Sequence, residues 1–258
     1  MLTVDRITRA FAGLIAVDAA SFTITPQSIH GLIGPNGAGK TTLFNIISGL
    51  LAPTAGRVRL SGTDITALPV HRRAALGLGR TFQSSRLFGN MSVLDNVMTG
   101  MHPHLSVPWP LTLLRLRRGR AEERLAKEQA EHLLALVGLS AHADRPAHTL
   151  AHGDQRLLEI ARALAGAPRL LLLDEPAAGM NPHETANLLR LLRRLRDDGL
   201  TILVVEHDMP FVMGLCDYLI VLNFGHKIAE GTPDAIRRDP MVIEAYLGSR
   251  FAQTRRDA

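Results

Sequence analysis

The sequence predicts an α/β fold, and three patterns indicate it. Short apolar runs typical of strands alternate with apolar residues at helical spacing towards both ends of the chain. One run, Leu170 to Leu173, is continuously apolar, as expected for a strand that is buried on both faces of a sheet. A glycine-rich segment at 34–42 separates a predicted strand from a predicted helix, and strand–loop–helix units of this kind build α/β sheets.

The N-terminal part is predicted to contain antiparallel strands around a buried one. Apolar and polar residues alternate in short runs at 2–4, 21–24 and 57–60, which is typical of strands with one buried face. Residues 28–33 form an apolar strand before the glycine-rich segment, and residues 41–50 carry apolar side chains at helical spacing. We therefore expect antiparallel strands to flank the strand that leads into this segment.

The middle of the chain changes to a helical pattern. Apolar stripes at 93–98 and 133–137 predict helices, and the stretch 101–120 between them, rich in Pro, His and Arg, predicts a loop or short helices. Proline directly after an N-cap residue, at Pro233 and Pro240, predicts two short closing helices. Between these regions the α/β pattern resumes, with helices at 155–165 and 188–195 and strands at 170–173, 201–205 and 219–222.

Composition limits the class of protein. A chain of 258 residues suits one large α/β domain or a core with a subdomain, and 46% hydrophobic with 21% charged residues is ordinary for a globular protein. The one cysteine, Cys216, excludes an intramolecular disulfide, suits a reducing cytosol and is expected in the core. The N-terminus lacks the apolar core of a signal peptide, and no apolar run approaches the ~18 to 20 residues of a membrane span. We expect a protein that is soluble or peripheral to a membrane.

The net charge is +5, from 29 basic and 24 acidic residues, with basic clusters at 115–124 and 250–256. Such clusters could contact an anionic membrane surface or nucleic acid, although a solvated helix face and a frayed tail are the favoured explanation. Aromatic residues make up only 4% of the chain, and no RNA-binding aromatic motif accompanies the charge. No nucleic-acid partner is therefore expected.

The glycine-rich segment carries a phosphate-binding pattern. Residues 34–42 read Gly-Pro-Asn-Gly-Ala-Gly-Lys-Thr-Thr and satisfy G-x-x-x-x-G-K-[ST]. Glycines let the backbone fold round a triphosphate so that its N–H groups point inward at a helix N-terminus. Lys40 would reach the β- and γ-phosphates, and the Thr41 hydroxyl would ligate Mg²⁺. Strand, loop and helix occur in the required order, which disfavours a chance glycine-rich turn.

Two carboxylates, Asp174 and Glu175, follow the apolar run at 170–173. A buried strand would bring them to its carboxyl end, where ligands bind in open α/β sheets. Asp174 would hold Mg²⁺ through water, and Glu175 would polarise or deprotonate the attacking water. Strands often end in an acidic residue, so this interpretation depends on the phosphate-binding segment upstream.

Three further elements complete a recognisable order. Gln83 follows the first α/β block, Leu150-Ala151-His152-Gly153-Asp154-Gln155 precedes a helix, and His207 follows the strand at 201–205. Together with the two patterns above, this order resembles the ATP-binding cassette (ABC) ATPases over nearly the whole chain. The resemblance implies a P-loop NTPase (RecA-like) core with an N-terminal antiparallel β subdomain and an inserted α-helical subdomain. In one cassette, 1–91 and 155–258 would form the core and 92–154 the helical subdomain, which ends in the signature motif.

The resemblance also implies roles for individual residues. Glu175, His207 and Gln83 would be catalytic, with His207 as the switch histidine that contacts the γ-phosphate. Mg²⁺ would be held by Thr41, Gln83 and Asp174. The residues implied to bind ATP are Phe11, which would stack on adenine, then Asn36, Gly37, Ala38, Gly39, Lys40, Thr41 and Thr42 of the Walker A loop, and Ala151, His152, Gly153 and Asp154 of the signature motif.

This chain departs from the common signature Leu-Ser-Gly-Gly-Gln. Ala151 stands where a serine hydroxyl would contact the γ-phosphate, His152 replaces a glycine, and Asp154 replaces the glutamine and adds a negative charge near a phosphate. The helix N-terminus and the Gly153 N–H remain, so the phosphate can still be met by dipole and backbone. Asn181 replaces the usual aspartate of the D-loop, which puts that aspartate's contribution across a dimer in question.

Four stretches narrow the resemblance to one branch. Residues 150–164, 174–182, 205–209 and 244–248 resemble the larger ATPase of branched-chain amino acid importers. The implied function is the ATP-hydrolysing motor of an importer for branched-chain or other hydrophobic amino acids. It would pair with a second ABC ATPase, identical or homologous, and drive two transmembrane permease subunits that a solute-binding protein loads. It would lie peripherally on the cytoplasmic face of the bacterial inner membrane.

Other classes share part of this pattern. Urea/amide importers and the lipopolysaccharide-export ATPase share much of it, so the transported substrate is less well determined than the mechanism. A soluble ABC ATPase of translation would usually carry two cassettes, whereas this sequence contains one. A DNA-repair ABC ATPase would contain a long coiled coil, and the heptads in this sequence are too short for one. A P-loop kinase has no reason to keep residues 150–154. A scaffold that binds ATP without hydrolysis is disfavoured because Glu175 and His207 are both present.

Overall fold

The structure, a computed structural model, describes residues 1–81, 87–101 and 117–246, with side chains omitted at 117–122. None of the helices in these ranges combines the length and apolarity that crossing a bilayer needs. The strands are β1 (Leu2–Phe11), β2 (Leu14–Ile24), β3 (Ile29–Ile33), β4 (Ala55–Leu60), β5 (Thr63–Asp64), β6 (Leu78–Arg80), β7 (Leu170–Asp174), β8 (Thr201–Val205), β9 (Tyr218–Asn223) and β10 (His226–Gly231). The α-helices are α1 (Lys40–Ser48), α2 (Val70–Ala75), α3 (Val93–Thr99), α4 (Arg117–Val137), α5 (His152–Ala165), α6 (Pro182–Asp197), α7 (Met209–Leu215) and α8 (Pro233–Arg238).

The strands form two sheets. A four-stranded antiparallel sheet has the order β2-β1-β4-β5, and a six-stranded sheet has the order β10-β9-β3-β8-β7-β6. In the larger sheet all neighbours are parallel except the edge strand β10, which pairs with β9 in antiparallel orientation. The predicted α/β class, with its antiparallel N-terminal sheet, is confirmed.

Three adjacent strands of the larger sheet show why the apolar runs of the sequence predict the core. Every residue of β3, β7 and β8 is buried. Alternate side chains of the sheet face two separate apolar clusters, as the twofold repeat of a strand requires. One cluster includes Leu171, Leu173 and Ile202 and packs against helices, whereas the other includes Leu172 and packs against α1 and the antiparallel sheet.

The N-terminal strands are longer than their short alternating runs predict. β1 and β2 pair from Leu2–Ile24 to Phe11–Leu14, but the register shifts between Val4 and Ile7 and again between Ile7 and Arg9. Arg6 and Ala19, beside these shifts, have positive φ angles of 45°. Each irregularity reverses which residues face the core, so the alternation of the sequence is interrupted although the strands continue.

The helices of the middle region pack as a group. Helices α3, α4 and α5 contact one another. The predicted apolar stripes at 93–98 and 133–137 lie on α3 and α4, and the Ser92 hydroxyl caps α3 by accepting from the Asp95 N–H. The predicted helix at 155–165 begins earlier, at His152. Residues 102–116 of the stretch predicted to be a loop or short helices lie outside the described residues, whereas 117–120 begin the 21-residue helix α4 and so differ from that prediction.

The two short helices predicted near the C-terminus are present. Pro233 occupies the first turn of α8 behind Thr232, and residues 240–246 are helical. Cys216 is buried at the end of α7, and burial raises the pKa of its thiol. Its predicted place in the core is confirmed.

A buried histidine in β3 should make the fold sensitive to acid. His30 is only 3% exposed, and burial lowers its pKa from 6.5 to about 4, against an opposing effect of Asp217. Between these pH values the unfolded chain binds a proton at this position and the folded chain does not. We expect this residue to lower the free energy of unfolding by up to about 3 kcal/mol as the pH falls from 7 to 4.

Urea unfolding of wild type and of His30→Asn at pH 7, 5.5 and 4.5 checks this expectation. The carboxylates titrate equally in both proteins, so the difference between the two pH profiles isolates His30. The variant should show a shallower loss of stability on acidification; parallel profiles would contradict the assignment.

Candidate functional site

The loop between β3 and α1 depends on two glycines. Gly34 has φ of 150°, and a Cβ atom there would lie 2.1 Å from the Leu222 carbonyl oxygen. Gly39 has φ of 97°, and its Cβ would lie 2.4 Å from the Ala16 carbonyl oxygen. Any side chain at either position would push the loop away from its neighbours, so both glycines are required by geometry. The loop therefore sits tightly between β9 and β2, directly before the N-terminus of α1.

Lys40 begins α1 and turns back over the loop. Its Nζ donates to the carbonyl oxygens of Gly34, at 2.7 Å, and Pro35, at 3.0 Å. Burial lowers the pKa of Lys40, and the Glu175 carboxylate acts in the opposite direction. The loop thus brings a cation, backbone N–H groups and a helix N-terminus to one place, which is the donor set that a polyphosphate needs. Asn36, Gly37, Ala38, Thr41 and Thr42 lie in the same loop and first helical turn.

The turn between β9 and β10 braces this loop through Gly225. The Gly225 N–H donates to the Ala38 carbonyl at 3.1 Å, and the Gly225 carbonyl accepts from Asp18 at 2.9 Å. Phe11 ends β1 in the hairpin with β2, is 41% exposed, and has the Arg9 guanidinium 4.5 Å from its ring centre. An exposed aromatic ring at the end of a hairpin is suited to stacking on a flat heterocycle.

The paired carboxylates lie at the end of β7. Asp174 is 4% exposed, and burial raises its pKa while the Arg80 guanidinium acts to lower it. Glu175 follows with a positive φ of 47°, and its N–H donates to the Val205 carbonyl of β8 at 2.9 Å. A non-glycine residue in this conformation is strained, and the bond to β8 holds it there. The turn separates the two carboxylates, leaving Asp174 buried and Glu175 partly exposed.

His207 lies close to Glu175 at the same edge of the sheet. Its Nδ1 lies 3.6 Å from the Glu175 Oε1, and its side chain is 63% exposed. Because β3, β8 and β7 are parallel neighbours, the residues that follow their carboxyl ends converge there. The structure thus brings together the glycine-rich loop, Asp174, Glu175 and His207. Gln83 lies outside the described residues.

Glu206, which the sequence analysis missed, supports this edge. It is 1% exposed, and its carboxylate accepts from the N–H groups of Ala177, at 3.1 Å, and His207, at 3.0 Å. Burial raises the pKa of Glu206, against the effect of these hydrogen bonds. It ties the turn after Glu175 to the residue that follows β8. A lone acidic residue at a strand end gave no signal that distinguishes this role.

The segment 151–154 starts α5. Ala151 is the N-cap residue and makes no capping hydrogen bond with its side chain. Ala151 and His152 are exposed, whereas Gly153 is buried against Glu184, whose carboxyl carbon would lie 2.9 Å from a Cβ at position 153. The His152 ring lies against Gly179, 3.1 Å from where a Cβ would be. Residues 151–154 therefore pack on the turn that leads into α6.

Asn181 has a structural role in that turn. Its side-chain oxygen accepts from the Glu184 N–H at 3.0 Å, and the Glu184 carboxylate accepts from the Asn181 N–H at 2.9 Å. This reciprocal capping box starts α6, with Pro182 in the first turn. Asn181 stands where an aspartate is usual, and either residue can cap a helix.

Comparison with known families identifies this arrangement. The family model described as ABC transporter matches residues 17–178, which include the loop, the segment 151–154 and both carboxylates. The chain is a member of the ABC transporter family. A second model, described as branched-chain amino acid ATP-binding cassette transporter, matches residues 226–252 of this ABC chain.

This ABC protein is similar along nearly its whole length to curated relatives from two transport systems. It is 45% identical over 249 residues to the high-affinity branched-chain amino acid transport ATP-binding proteins BraF of Pseudomonas aeruginosa and LivG of Escherichia coli. Each alignment covers 96% of this chain and 98% of the relative. The lipopolysaccharide export system ATP-binding protein LptB of Escherichia coli is 36% identical over 250 residues, covering 97% of this chain and 98% of the relative.

Solved ABC cassettes share its fold. The crystal structure of an ABC transporter cassette in its ADP conformation superposes with a TM-score of 0.84 at 32% identity, covering 96% of this chain and 98% of that one. A nucleotide-free cassette gives a TM-score of 0.83 at 32% identity, covering 95% and 98%. The fold predicted for an ABC cassette is thereby confirmed.

Proposed function

We propose that this ABC chain hydrolyses ATP, with Mg²⁺, as the motor subunit of an importer for branched-chain or other hydrophobic amino acids. The observation that carries the hydrolytic part is the 3.6 Å approach of His207 Nδ1 to Glu175 Oε1 at the sheet edge beside Lys40. A base, a histidine and a phosphate-binding cation at one edge form the set needed to attack a terminal phosphate with water. The amino acid substrate class is supported by the descriptions of BraF and LivG and by the family match at 226–252.

In this proposal each residue of the site has a role. The loop N–H groups from Asn36 to Thr42 and the Lys40 ammonium bind the phosphates, and Phe11 stacks on adenine. Glu175 accepts a proton from the attacking water, and His207 contacts the γ-phosphate. Glu206 keeps His207 and the turn after Glu175 in place through the hydrogen bonds that its carboxylate accepts from the N–H groups of Ala177, His207 and Asp208.

The donor set also fits a magnesium ion. Thr41 offers a hydroxyl at the start of α1, and Asp174 offers a buried carboxylate at the end of β7, both ligand types that Mg²⁺ prefers. Gln83 is proposed as a further ligand. When bound, the ion would neutralise charge on the phosphate oxygens.

In this proposal, transport across a membrane requires a second cassette and two permeases. We propose that Ala151, His152, Gly153 and Asp154 cap the nucleotide held by the Walker A loop of a second ABC ATPase, so that hydrolysis controls opening and closing of the pair. Residues 92–154 would move as the helical subdomain against a core made of 1–91 and 155–258. A cassette solved with ADP and phosphate is described as dimeric, and it shares this fold at 24% identity with a TM-score of 0.77.

An apolar groove is the proposed contact with the permeases. It has a volume of about 450 Å³, and its lining includes Leu50, Val70 and Phe88, which are 50%, 40% and 52% exposed. Arg80 lines this groove and lies 3.3 Å from the Asp174 carboxylate, so a permease seated there would act close to the proposed metal site. The cassette would lie on the cytoplasmic face of the bacterial inner membrane, and a solute-binding protein would load the permeases.

A lipopolysaccharide exporter is the second candidate, favoured by the 36% identity to LptB. The higher identity to BraF and LivG and the match at 226–252 favour the importer.

Two measurements test the proposal. The purified chain should hydrolyse ATP in a Mg²⁺-dependent manner, and the tagged chain should co-purify from detergent-solubilised membranes with two polytopic proteins and a second cassette. Co-purification with lipopolysaccharide-export components would favour the exporter. Recovery without any membrane protein would contradict a transport role.

The charge at Asp154 should weaken pairing of two cassettes. It lies in the first turn of α5, where the proposal places it beside a phosphate of the partner's nucleotide. A pair of identical cassettes contains two copies of Asp154, so replacing it by glutamine removes two like-charge repulsions of about 1 kcal/mol each, and ATP-dependent dimerisation should tighten by about 30-fold. Sedimentation with a non-hydrolysable ATP analogue measures this. Asp144→Asn, at an exposed position outside this turn, is the control; equal dimerisation of all three proteins would exclude the effect.

A further inference from the structure

Arg80, at the end of β6, connects three parts of the nucleotide site. Its Nη2 lies 3.3 Å from the Asp174 Oδ2, and its Nη1 donates to the Ser48 hydroxyl of α1. The guanidinium also lies 4.7 Å from the ring centre of Phe44, on the same helix. The Arg80 side chain is 10% exposed and that of Asp174 is 5% exposed. One buried cation therefore contacts both the helix that begins at Lys40 and the carboxylate proposed to serve Mg²⁺.

The backbone beside Arg80 is tied to the same strand. The Thr81 N–H donates to the Leu172 carbonyl at 3.0 Å, and the Thr81 hydroxyl accepts from the Asp174 N–H at 3.3 Å. The chain then continues towards Gln83. The carboxylate and the backbone of Asp174 are therefore both held by the pair Arg80–Thr81, which also forms the root of the segment that carries Gln83.

An arginine side chain is better suited than a lysine side chain to contact Asp174, Ser48 and Phe44 at the same time. The planar guanidinium presents several N–H donors in a fixed fork, so it can contact Ser48 and Asp174 at once while its face packs on Phe44. A lysine ammonium is a point charge and cannot reproduce this three-way contact. Loss of the Arg80 guanidinium would remove the cation that lies 3.3 Å from the buried Asp174 carboxylate, and the carboxylate would be free to reorient.

We propose that Arg80 is a positioning residue for the divalent-cation site. It fixes the Asp174 carboxylate relative to α1, so that the Asp174 carboxylate and the Thr41 hydroxyl can serve one ion. This inference rests on the proposed Mg²⁺-dependent function. Arg80 itself touches neither nucleotide nor metal in this proposal and acts through Asp174.

Separate measurements of metal and nucleotide binding test the proposal. Mn²⁺ binding in the presence of a non-hydrolysable ATP analogue is followed by electron paramagnetic resonance, and binding of a fluorescent ATP analogue is measured in EDTA. Loss of a residue that orients a metal ligand typically weakens metal affinity by about 10-fold or more. For Arg80→Gln we expect about a 10-fold loss of Mn²⁺ affinity, with nucleotide affinity in EDTA within about twofold of wild type.

Three variants make the result specific. Arg80→Lys should recover less than half of the lost Mn²⁺ affinity on a logarithmic scale, and Ser48→Ala, which removes one arm of the fork, should cause a smaller loss than Arg80→Gln. Arg194→Gln, at a side chain that is 68% exposed, should bind Mn²⁺ as wild type does. If Arg80→Gln does not fold, the lysine and alanine variants decide.

Unchanged or increased Mn²⁺ affinity in the Arg80 variants would overturn the proposal, as would a parallel loss of nucleotide affinity in EDTA. The wild-type protein separates this outcome from failure of the proposed function. If wild type bound Mn²⁺ with the nucleotide analogue and the variants matched it, only the role of Arg80 would fail. If wild type bound neither, the ATPase proposal would fail.

Discussion

Replacing Glu175 by glutamine is expected to lower steady-state ATP hydrolysis by at least about 100-fold, the usual contribution of a general base. Glutamine keeps the size of the side chain but cannot accept a proton from water. The turn is held by the backbone bond from Glu175 to Val205, which the substitution does not touch. ATP binding should therefore persist, and the uncleaved nucleotide should accumulate with paired cassettes.

Phosphate release and size-exclusion chromatography with ATP measure both parts of this result. Glu230→Gln, which changes a partly exposed carboxylate on β10, serves as the matched control and should hydrolyse ATP at the wild-type rate. Turnover that survives in Glu175→Gln would remove Glu175 from the role of base. Loss of ATP binding would show that the substitution disturbed the loop rather than the chemistry.

Replacing Arg73 by methionine is expected to cost about 2–5 kcal/mol of stability, because the buried carbonyl oxygens that it contacts would lose charge-assisted hydrogen bonds. Arg73 is 2% exposed and donates to four carbonyl oxygens, those of Ile46, Ile47, Leu68 and Thr66. Two of these oxygens lie in the last turn of α1, where the helix dipole favours a cation. Without the guanidinium, the Ile47 carbonyl in particular loses a charge-assisted partner at 2.7 Å.

Urea unfolding of Arg73→Met measures the loss, and Arg72→Met is the matched control because Arg72 is exposed on the same helix. The control should unfold within about 0.5 kcal/mol of wild type. Arg73→Lys should be intermediate, since one ammonium can satisfy only some of the carbonyls. A methionine variant as stable as wild type would mean that the carbonyls find other partners.

The sequence predicted those features that depend on local chemistry. The glycine-rich loop follows from its residue types, and the central strands follow from unbroken apolar runs such as 170–173 and 201–205. The paired carboxylates and His207 were placed at strand ends because parallel strands bring their carboxyl ends together. Each of these predictions used neighbouring residues only.

The features of the fold and the site that the sequence did not predict depend on contacts between residues distant in the chain. Arg73 and Arg80 look like ordinary basic residues in the sequence, and only the fold brings them to α1 and, for Arg80, to Asp174. Glu206 gave no pattern, because its partner Ala177 lies on a different strand–turn unit. The register shifts between β1 and β2 hid the true length of the hairpin by interrupting the alternation of both strands.

The contact between Gly153 and Glu184 also limits how this protein can vary. A methyl group at position 153 would collide with a carboxylate that is itself fixed by the helix cap at Asn181. A side chain at 153 would require the Glu184 carboxylate to move, and this movement would break its hydrogen bond with the Asn181 N–H, which is one half of the capping box. Substitutions at the N-termini of α5 and α6 should therefore be inherited jointly, and exchanging either segment alone with a distant relative should give a chimera in which α6 is less well capped.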